Sequence, residues 1–443
     1  MDASLLHRID NARLGKFHLT LILVTGTCWA WAAYSVTVIA FMLPALQAEW
    51  GVSAGALTWL AGSGMVGMLA GSVIAGRLSD RWGRRRVLTF VMLFLALVFS
   101  LSALAWSFPV LLGLRFFVGV GMGGILPPAG TLVSEFSPSR LRGMMMVFLN
   151  GFWGIGSTLA ALVGYSLVLP FGWRPAMWFG ALTAVSALLV QTLLPESLRF
   201  LLSKGLDDRA QRAARRVHVA VVAGAPPAVP PESSAPPPAG FDRAGIWSPG
   251  YARITASLWL MWFALNFIFQ GVFIWLPTLL ATIDIATGNA FLITLFVSLG
   301  QLPGTLLAAF VADRGSRRRL VIWAMLALGG AALIFPLSGA PAWVLALGFL
   351  VMIFNGMSWG FGNPFSVELY PTHMRAAATG WATGVGRLGG VAAPLAVGWL
   401  VQAGSSLQVI FTILAAAPLT ATLVLSGLKR ETTGRTLEQI SEG

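Results

Sequence analysis

Arg387 has the clearest potential for ligand chemistry in this chain. It lies in the glycine-rich segment Thr383-Gly384-Val385-Gly386-Arg387-Leu388-Gly389-Gly390, near the middle of a long apolar stretch. An ionisable group in such surroundings is costly and is a functional hypothesis by default. A guanidinium binds a carboxylate through two parallel hydrogen bonds, which predicts an anionic ligand. Two alternatives stay open: Arg387 bonds backbone carbonyls freed by the glycines, or it pairs with an acid such as Glu135.

Polar and aromatic side chains in other apolar stretches are candidates to complete a site around this arginine. An amide or an indole N–H could orient a planar ring, and a tryptophan face could stack on it. Packing, or a position in an interfacial belt, is the alternative for each tryptophan. The candidate substrate-binding residues are Arg387, Tyr34, Asn150, Trp153, Gln270, Trp275, Gln301, Asn355 and Trp359, with Asn266, Asn363 and Trp381 beside them.

The acidic residues are informative because none of the 16 falls in the middle of an apolar block. The sequence also contains no nucleophile with a neighbouring base, no phosphate-binding loop and no metal-ligand cluster. We therefore expect neither an enzyme nor a cofactor or metal site. Cys28 is the single cysteine, which excludes an intrachain disulfide.

The elements that carry these residues are membrane-spanning helices. Of the 443 residues 57% are hydrophobic and only 10% are charged, whereas soluble domains carry about 25% charged residues. The apolar residues form about a dozen blocks of roughly 20 residues, long enough to cross a bilayer core of about 30 Å as a helix. We predict an all-α membrane protein with spans at 19–46, 56–76, 87–107, 110–134, 143–168, 174–194, 254–281, 289–312, 320–338, 341–366, 374–402 and 406–428.

The basic residues predict the orientation of these spans. With an even number of spans, 26 of the 29 Lys and Arg residues lie on the same side as the N-terminus, and only Arg174 lies on the other side. The positive-inside rule then predicts that both termini are cytoplasmic, in a multi-pass protein of the inner membrane. The net charge of +13 is explained as an orientation signal, and we expect no nucleic-acid partner.

A polar segment divides the spans six and six. Residues 206–222 are compatible with an amphipathic helix, and residues 224–240 are rich in Pro, Ala and Ser. The latter composition predicts an extended or disordered linker. The expected organisation is an N-terminal half at 1–194, a cytoplasmic linker at 195–253, a C-terminal half at 254–428 and a cytoplasmic tail at 429–443.

The two halves are related by an internal repeat. One shift of 233 residues, the separation of Asp80 from Asp313, superposes two runs and three single residues of the sequence. A parallel repeat of two six-helix halves predicts a substrate site near the bilayer midplane and alternating access by rocking of the halves. The superposed features are Asp80-Arg81 on Asp313-Arg314, Arg84 to Arg86 on Arg317 to Arg319, and Glu135, Pro138 and Arg142 on Glu368, Pro371 and Arg375.

The chain resembles the major facilitator superfamily over essentially its whole length. The segment Gly76-Arg77-Leu78-Ser79-Asp80-Arg81-Trp82-Gly83-Arg84-Arg85-Arg86 is similar to the signature that this family carries between spans 2 and 3. The second copy is degraded, with Ala309 and Ser316 in place of the glycines. The resemblance implies that Asp80 interacts with a helix N-terminus or an arginine of the opposite half, which the helix dipole would favour.

Further segments resemble motifs of particular branches. Arg115-Phe116-Phe117-Val118-Gly119-Val120-Gly121 is similar to a motif whose arginine is tied to coupling in proton-driven members. Pro195 to Leu201 and Glu431 to Glu438 resemble the tails of sugar porters and their organic-ion relatives. The resemblance and the repeat together give the expected coupling and gating residues: Asp80, Arg81, Arg84, Arg115, Glu135, Arg142, Asp313, Glu368 and Arg375.

Two further resemblances concern the substrate and its coupling. Gly384 to Pro394 resembles span 11 of organic-acid/proton symporters, including aromatic-acid and nicotinate carriers, in which the equivalent arginine is thought to bind a carboxylate. Span 1 departs from that pattern, since Ala32 and Ser35 stand where the family usually has two aspartates. Moving an anion inward against the membrane potential costs about 2.3 kcal/mol per 100 mV. Uptake therefore needs a co-transported cation, although the usual proton carriers are missing.

The resulting hypothesis is a carrier of a small organic anion, an aromatic or other monocarboxylate such as nicotinate, working by alternating access with a proton as co-substrate. Its partners are the small-molecule substrate and the lipid bilayer, and we expect a monomer. The alternatives within transport are a multidrug or organic-cation exporter and a sugar carrier. A different alternative is a receptor-like homologue that binds without transport, which the missing span-1 aspartates would favour.

Overall fold

The structure is a computed structural model, and it describes residues 13–138, 141–217, 245–281, 285–311, 315–337, 340–370 and 372–428. Within these residues the secondary structure is helical, and twelve stretches are long and apolar enough to cross a membrane. The predicted all-α fold with twelve spans is therefore confirmed. Spans 1 to 12 run Lys16–Trp50, Ala54–Trp82, Arg84–Ala103, Phe108–Phe136, Arg142–Phe171, Arg174–Leu193, Ala252–Leu280, Thr287–Ala308, Arg317–Leu337, Pro341–Glu368, Ala378–Gln402 and Leu407–Ser426.

The spans are helical because a backbone inside lipid must satisfy its own hydrogen bonds. Some of the short turns between them depend on glycine. Gly51 and Gly404 have φ of +61° and +67° and reverse the chain after spans 1 and 11. Such left-handed values carry little cost only for glycine. We call the ends of the spans that carry Arg84 in span 3 and Arg317 in span 9 the basic ends, and the ends that carry Gly51 and Gly404 the opposite ends.

Three spans contain an irregular turn. Span 5 continues past Val163 through a π-helical turn, Gly164–Val168, and span 6 consists of two helices, Arg174–Gly180 and Thr183–Leu193. Span 8 is divided at Gly300 into Thr287–Leu299 and Gln301–Val311. Gly300 lies close to the carbonyl oxygen of Phe349, 2.6 Å from the position that a Cβ would take. A larger residue would be excluded here, so the division of span 8 is tied to its contact with span 10.

The first compact unit contains the described residues of 1–38, 66–160 and 173–234. Its helices cross where glycine lets two backbones approach. Gly71 of span 2 faces the backbone of Val120 in span 4, and Gly123 of span 4 faces the backbone of Met68. Close packing at small residues is the usual way in which membrane helices associate.

The second unit contains the described residues of 39–65, 161–172 and 235–443. The opposite ends of spans 1, 2 and 5 thus group with spans 7 to 12. Phe41 of span 1 stacks edge-on against Phe291 of span 8, with 5.0 Å between ring centroids. The predicted boundaries at 194 and 254 follow the sequence repeat and remain a prediction. The contacts divide the chain differently, because spans 1, 2 and 5 each have one part in the first unit and the other part in the second.

The segment after span 6 forms two short helices, Leu198–Ser203 and Asp207–Val217. The second, which we call the linker helix, falls within the predicted amphipathic stretch and buries Ala210 and Ala213. The remainder of that stretch, the Pro-rich segment 224–240 and the tail 429–443 lie outside the described residues. Near the start of span 7, in the second unit, the Thr255 hydroxyl donates to the Ile246 carbonyl and lies 2.9 Å from the Tyr370 hydroxyl. Burial raises the pKa of Tyr370, while the bond to Thr255 opposes this.

Candidate functional site

Arg387 lies on a protein-facing side of span 11. The lipid-exposed face of that helix carries Trp381, Leu388 and Trp399, and one residue along a helix turns the side chain by about 100°. Arg387 shares its face with Gly398, about three turns further along. Gly398 contacts Thr58 of span 2 within the second unit. The half-buried guanidinium therefore belongs to a face that packs against protein, and the lipid-facing side is a different one.

A set of buried amides lies in the same unit, on spans 7, 8 and 10. Both polar side-chain atoms of Asn355 are buried and have no hydrogen-bond partner among the described residues. The same holds for the side-chain oxygens of Gln270 and Gln301, although Nε2 of Gln270 lies 3.4 Å from the sulfur of Met65. Buried polar groups are nearly always satisfied. Three amides in the second unit depart from this rule and are available to bond a ligand or water.

Tryptophans line the same spans. Trp359 stacks edge-on against Trp262 at a centroid distance of 5.0 Å, and the indole N–H of Trp262 donates to Ser366. The indole N–H groups of Trp359 and Trp275 have no acceptor among the described side chains and backbone. Trp262 was not a sequence candidate. Its spacing of four residues from Asn266, whose amide donates to the Trp262 carbonyl, was the available signal.

The first-half candidates differ from these in their surroundings. The Tyr34 hydroxyl donates to the carbonyl of Ala176 at 2.7 Å in a fully buried position, next to the ring of Trp31. Asn150 is exposed and bonds its own helix at Met146, and Trp153 is half-buried. The hydroxyl proton of Tyr34 is therefore already used inside the first unit, and a role of Tyr34 in substrate binding remains a prediction.

At the basic end of the first unit the signature loop forms an ion-pair cluster. Arg84 bonds the largely exposed carboxylate of Asp80 at 3.1 Å, and its Nε lies 3.6 Å from Oε1 of Glu135. The other Glu135 oxygen accepts the Ser197 hydroxyl. The partner that the structure gives to Asp80 is thus Arg84, four residues away in the same unit, rather than a group of the opposite half. Bracing of the halves by Asp80 remains a prediction.

The second copy of this cluster repeats the central pair. Arg317 pairs with Glu368, and these two residues are related to Arg84 and Glu135 by the shift of 233 residues that separates Asp80 from Asp313. Of the other gating candidates, the structure describes the side chains of some and not of others. Arg142 donates to the carbonyl of Ser134 at 3.0 Å, and Arg81 is exposed. Asp313 and the side chain of Arg375 lie outside the described part of the structure.

Glu196 is a residue whose role the sequence reasoning missed. Its carboxylate accepts the backbone amides of Arg85 and Ser197 at 3.0 Å and that of Arg86 at 3.4 Å. These amides include the first turn of span 3, where a helix has unsatisfied N–H groups and attracts negative charge. Glu196 thus caps a helix more than 100 residues away in the chain. A carboxylate directly after an apolar span, beside the N-cap Ser197, was the only signal.

Arg115 is a second guanidinium inside a span. It is buried in span 4, and its Nε and Nη2 have no hydrogen-bond partner among the described residues. Ala32 and Ser35, where the organic-acid symporters usually have aspartates, are both fully buried, and the Ser35 hydroxyl donates to the Trp31 carbonyl. The positive charge of Arg115 therefore has no acidic counterpart at these two positions of span 1.

Comparison with known proteins identifies the family of this chain. The sequence profile of the family described as Sugar (and other) transporter matches residues 20–443. The chain belongs to this transporter family. The resemblance to the major facilitator superfamily, inferred above from the signature loop, is thereby confirmed.

Two relatives of this transporter match over nearly their full lengths. It is 35% identical to the niacin transporter NiaP of Acinetobacter baylyi, over 98% of this chain and 99% of that protein. It is 28% identical to the gallate transporter of Pseudomonas putida, over 94% of this chain and 93% of that protein.

Among solved structures, this transporter resembles the xylose transporter XylE from E. coli in an inward open conformation. The TM-score is 0.76 at 18% identity, covering 96% of this chain and 99% of XylE. A crystal structure of a D-xylose-proton symporter gives a TM-score of 0.74 at 19% identity, covering 95% and 100%. At this level of identity the likeness supports the twelve-span fold, and the family membership rests on the sequence match.

Proposed function

We propose that this transporter carries a small aromatic monocarboxylate, nicotinate first, across the inner membrane by alternating access. The observation that carries the proposal is the position of Arg387, on a protein-facing side of span 11, in the unit that also contains the unsatisfied amides of Asn355, Gln301 and Gln270. Niacin and gallate, named for the two relatives, are both single aromatic rings with one carboxylate. A guanidinium with nearby amides and indoles is the chemistry that such a molecule requires.

Each group has a distinct role in this proposal. Arg387 binds the substrate carboxylate through two hydrogen bonds, whose geometry a lysine would not reproduce. The amides of Asn355, Gln301 and Gln270 bond the polar edge of the ring, which for nicotinate is the pyridine nitrogen. Trp275 and Trp359 cover the ring face and donate their unused indole N–H groups. All five of these partners lie on spans 7, 8 and 10, with Arg387 on span 11.

The orientation proposed here has the basic ends of the spans in the cytoplasm. These ends carry the arginines of the signature segment and of its second copy, and basic residues are retained on the cytoplasmic side. Both termini are then cytoplasmic, and the protein works in the inner membrane as a monomer. The ion pairs of Arg84 with Glu135 and of Arg317 with Glu368 belong to the cytoplasmic gate.

Uptake of a monoanion requires a driving force, and we propose proton symport. One negative charge moved inward costs about 2.3 kcal/mol per 100 mV, and one proton moved with it removes that cost. Ala32 and Ser35 cannot carry the proton. Glu135 is the best acidic candidate because it is half-buried and touches both Arg84 and Ser197, whereas Asp80 is 76% exposed. The carboxylate of the substrate itself is the other candidate.

Transport in proteoliposomes tests the proposal. Purified protein should accumulate radiolabelled nicotinate when the outside is made acidic, and benzoate should compete. Nicotinamide, which has the same ring and no charge, should compete poorly. Arg387→Gln should abolish nicotinate uptake, and Arg387→Lys should restore it only in part. Thr383→Ala removes an exposed hydroxyl that bonds only its own helix, one turn before Arg387, and serves as the matched control.

The alternatives give different results in the same assay. Competition by organic cations or by sugars instead of carboxylates would assign the chain to those substrate classes and overturn the anion proposal. Nicotinate uptake that survives Arg387→Gln would overturn the role of this arginine. Binding of nicotinate without counterflow of labelled substrate would indicate a receptor-like protein that does not transport.

A further inference from the structure

A pocket of about 710 Å³ opens at the basic end of the first unit, and none of the proposed substrate residues lines it. Its walls come from the start of span 3, the segment after span 6 and the linker helix Asp207–Val217. Four arginines line it: Arg85, Arg86, Arg209 and Arg212. Such a concentration of guanidinium groups is the usual signature of a phosphate or carboxylate site.

The lining of this pocket contains more basic than acidic residues. Glu196 is the one acidic residue among the described residues that line it, and this carboxylate points at the backbone amides that open span 3. On the linker helix, Asp208 is exposed, and Arg212 donates to its backbone carbonyl. Arg85 also donates to the backbone carbonyl of Gln191, so the proposal rests on Arg86, Arg209 and Arg212.

The linker helix packs against the protein through its alanine face. Ala210 and Ala213 are buried against the protein, while Arg209 and Arg212 on the neighbouring positions are exposed. Burial of the alanines holds the two arginines at the rim of the pocket. The pocket is thus formed jointly by the start of a candidate membrane span and by the linker helix, which follows span 6.

An apolar stripe runs from the pocket along the surface of span 3. Phe90, Leu93 and Leu97 follow Arg86 at helical spacing and are 59%, 50% and 57% exposed. Residues three and four apart on a helix lie on one face. A molecule held by Arg86 would therefore meet a continuous hydrocarbon surface directly below, which a soluble anion would not need.

We propose that this pocket binds the phosphate of an anionic phospholipid, with the acyl chains lying along Phe90, Leu93 and Leu97. Basic pockets at the cytoplasmic ends of membrane helices bind acidic headgroups in this way. The lipid joins span 3 to the linker helix, because its phosphate contacts arginines of both. This inference is independent of the transported substrate.

Lipid retention by the purified full-length chain tests the proposal. Native mass spectrometry should detect retained dioleoylphosphatidylglycerol in preference to dioleoylphosphatidylcholine, which has the same acyl chains. Arg209→Gln together with Arg212→Gln should weaken this retention roughly tenfold or more. Arg13→Gln together with Lys16→Gln removes two exposed charges at the same end but outside the pocket, and should leave retention unchanged.

Three outcomes would overturn the proposal. Equal retention of the two lipids would exclude headgroup recognition. Equal losses in the pocket variant and in the Arg13 and Lys16 control would indicate diffuse attraction to the basic end. Displacement of the lipid by inorganic phosphate at millimolar concentration, with no effect of Phe90→Ser on retention, would assign the pocket to a soluble phosphate compound instead.

Discussion

The carboxylate of Glu196 lies directly against Gly83, where a side chain would otherwise begin. A Cβ built on Gly83 would lie 2.7 Å from the Glu196 carboxyl carbon and still closer to Oε2. Gly83 also has φ of +102° and ψ of +150°, a conformation that is essentially restricted to glycine. The glycine of the signature loop therefore gives both the backbone turn and the space that let Glu196 cap span 3.

Gly83→Ala should accordingly destabilise the protein. The strained backbone costs about 1–3 kcal/mol, and displacement of the Glu196 cap adds about 1 kcal/mol. Thermal unfolding in detergent should show a lower midpoint, and hydrogen exchange at the amides of Arg85 and Arg86 should accelerate. Glu196→Ala should accelerate exchange at the same amides without the backbone strain.

Gly76 provides the matched control for this prediction. It belongs to the same signature segment, within span 2, and a Cβ at Gly76 would meet no atom within 4 Å. Gly76→Ala should leave the unfolding midpoint unchanged or raise it slightly, because alanine favours the helix. Equal effects of the two alanine substitutions would contradict the proposed link between Gly83 and Glu196.

The sequence predicts the spans but does not predict the contact between Gly83 and Glu196. The apolar blocks predict the twelve spans because a lipid-embedded backbone has few alternatives to the helix, and the shift of 233 residues between Asp80 and Asp313 relates the two observed ion pairs. The partners of Glu196 in span 3 could not be predicted, since they lie 110 and 111 residues away and depend on how span 3 meets the segment after span 6.

For the binding site, the sequence likewise does not predict which polar side chains have hydrogen-bond partners inside the protein, as Tyr34 illustrates. Residue type and position in a span made it a candidate, yet its hydroxyl bonds the Ala176 carbonyl, 142 residues along the chain. Asn355 had no better signal in the sequence, and the structure leaves both of its polar side-chain atoms unsatisfied. Whether a polar group in a span finds an internal partner is decided by tertiary packing, which hydropathy and spacing do not contain.

Asn355→Leu should separate stability from binding. A buried group without a partner costs about 1–3 kcal/mol, so its removal should raise the unfolding midpoint of the ligand-free protein. The same change should reduce the stabilisation given by added nicotinate, because the amide is proposed to bond the ring. Thermal unfolding with and without nicotinate measures both effects.

Ser358 is the control for that experiment. It is buried one turn away in span 10, and its hydroxyl already donates to the Phe354 carbonyl at 2.8 Å. Ser358→Ala should change neither the unfolding midpoint nor the shift with nicotinate appreciably. If Asn355→Leu left the nicotinate shift intact, Asn355 would have to be removed from the proposed site.

Gly398→Ala should open the seam between spans 2 and 11 within the second unit. A Cβ here would overlap the Thr58 hydroxyl and would lie 2.8 Å from Cζ2 of Trp275. Overpacking of this kind costs about 1–3 kcal/mol. The unfolding midpoint should fall, and a cysteine replacing Leu395, which contacts Gly62 in the same seam, should react faster with an impermeant maleimide. The native Cys28 is buried and adds little background.

Two further variants test the geometry of this seam. Gly384→Ala lies on the same helix, and a Cβ there would meet no atom within 4 Å, so it should be neutral. Thr58→Gly combined with Gly398→Ala transfers the bulk from one helix to the other and should recover part of the lost stability. A double variant no better than Gly398→Ala alone would show that the Thr58 contact does not limit the packing.

Arg115→Met should remove transport while preserving the fold. Replacing a buried charge that lacks compensating partners by an apolar chain of similar length is often neutral or stabilising. Two nitrogens of Arg115 have no partner among the described residues, so the unfolding midpoint should hold or rise. Arg84→Met is the contrast: that guanidinium bonds Asp80 and Glu135, and its loss should lower the midpoint. Proton-driven nicotinate uptake by Arg115→Met equal to that of the unmodified protein would exclude a coupling role for this arginine.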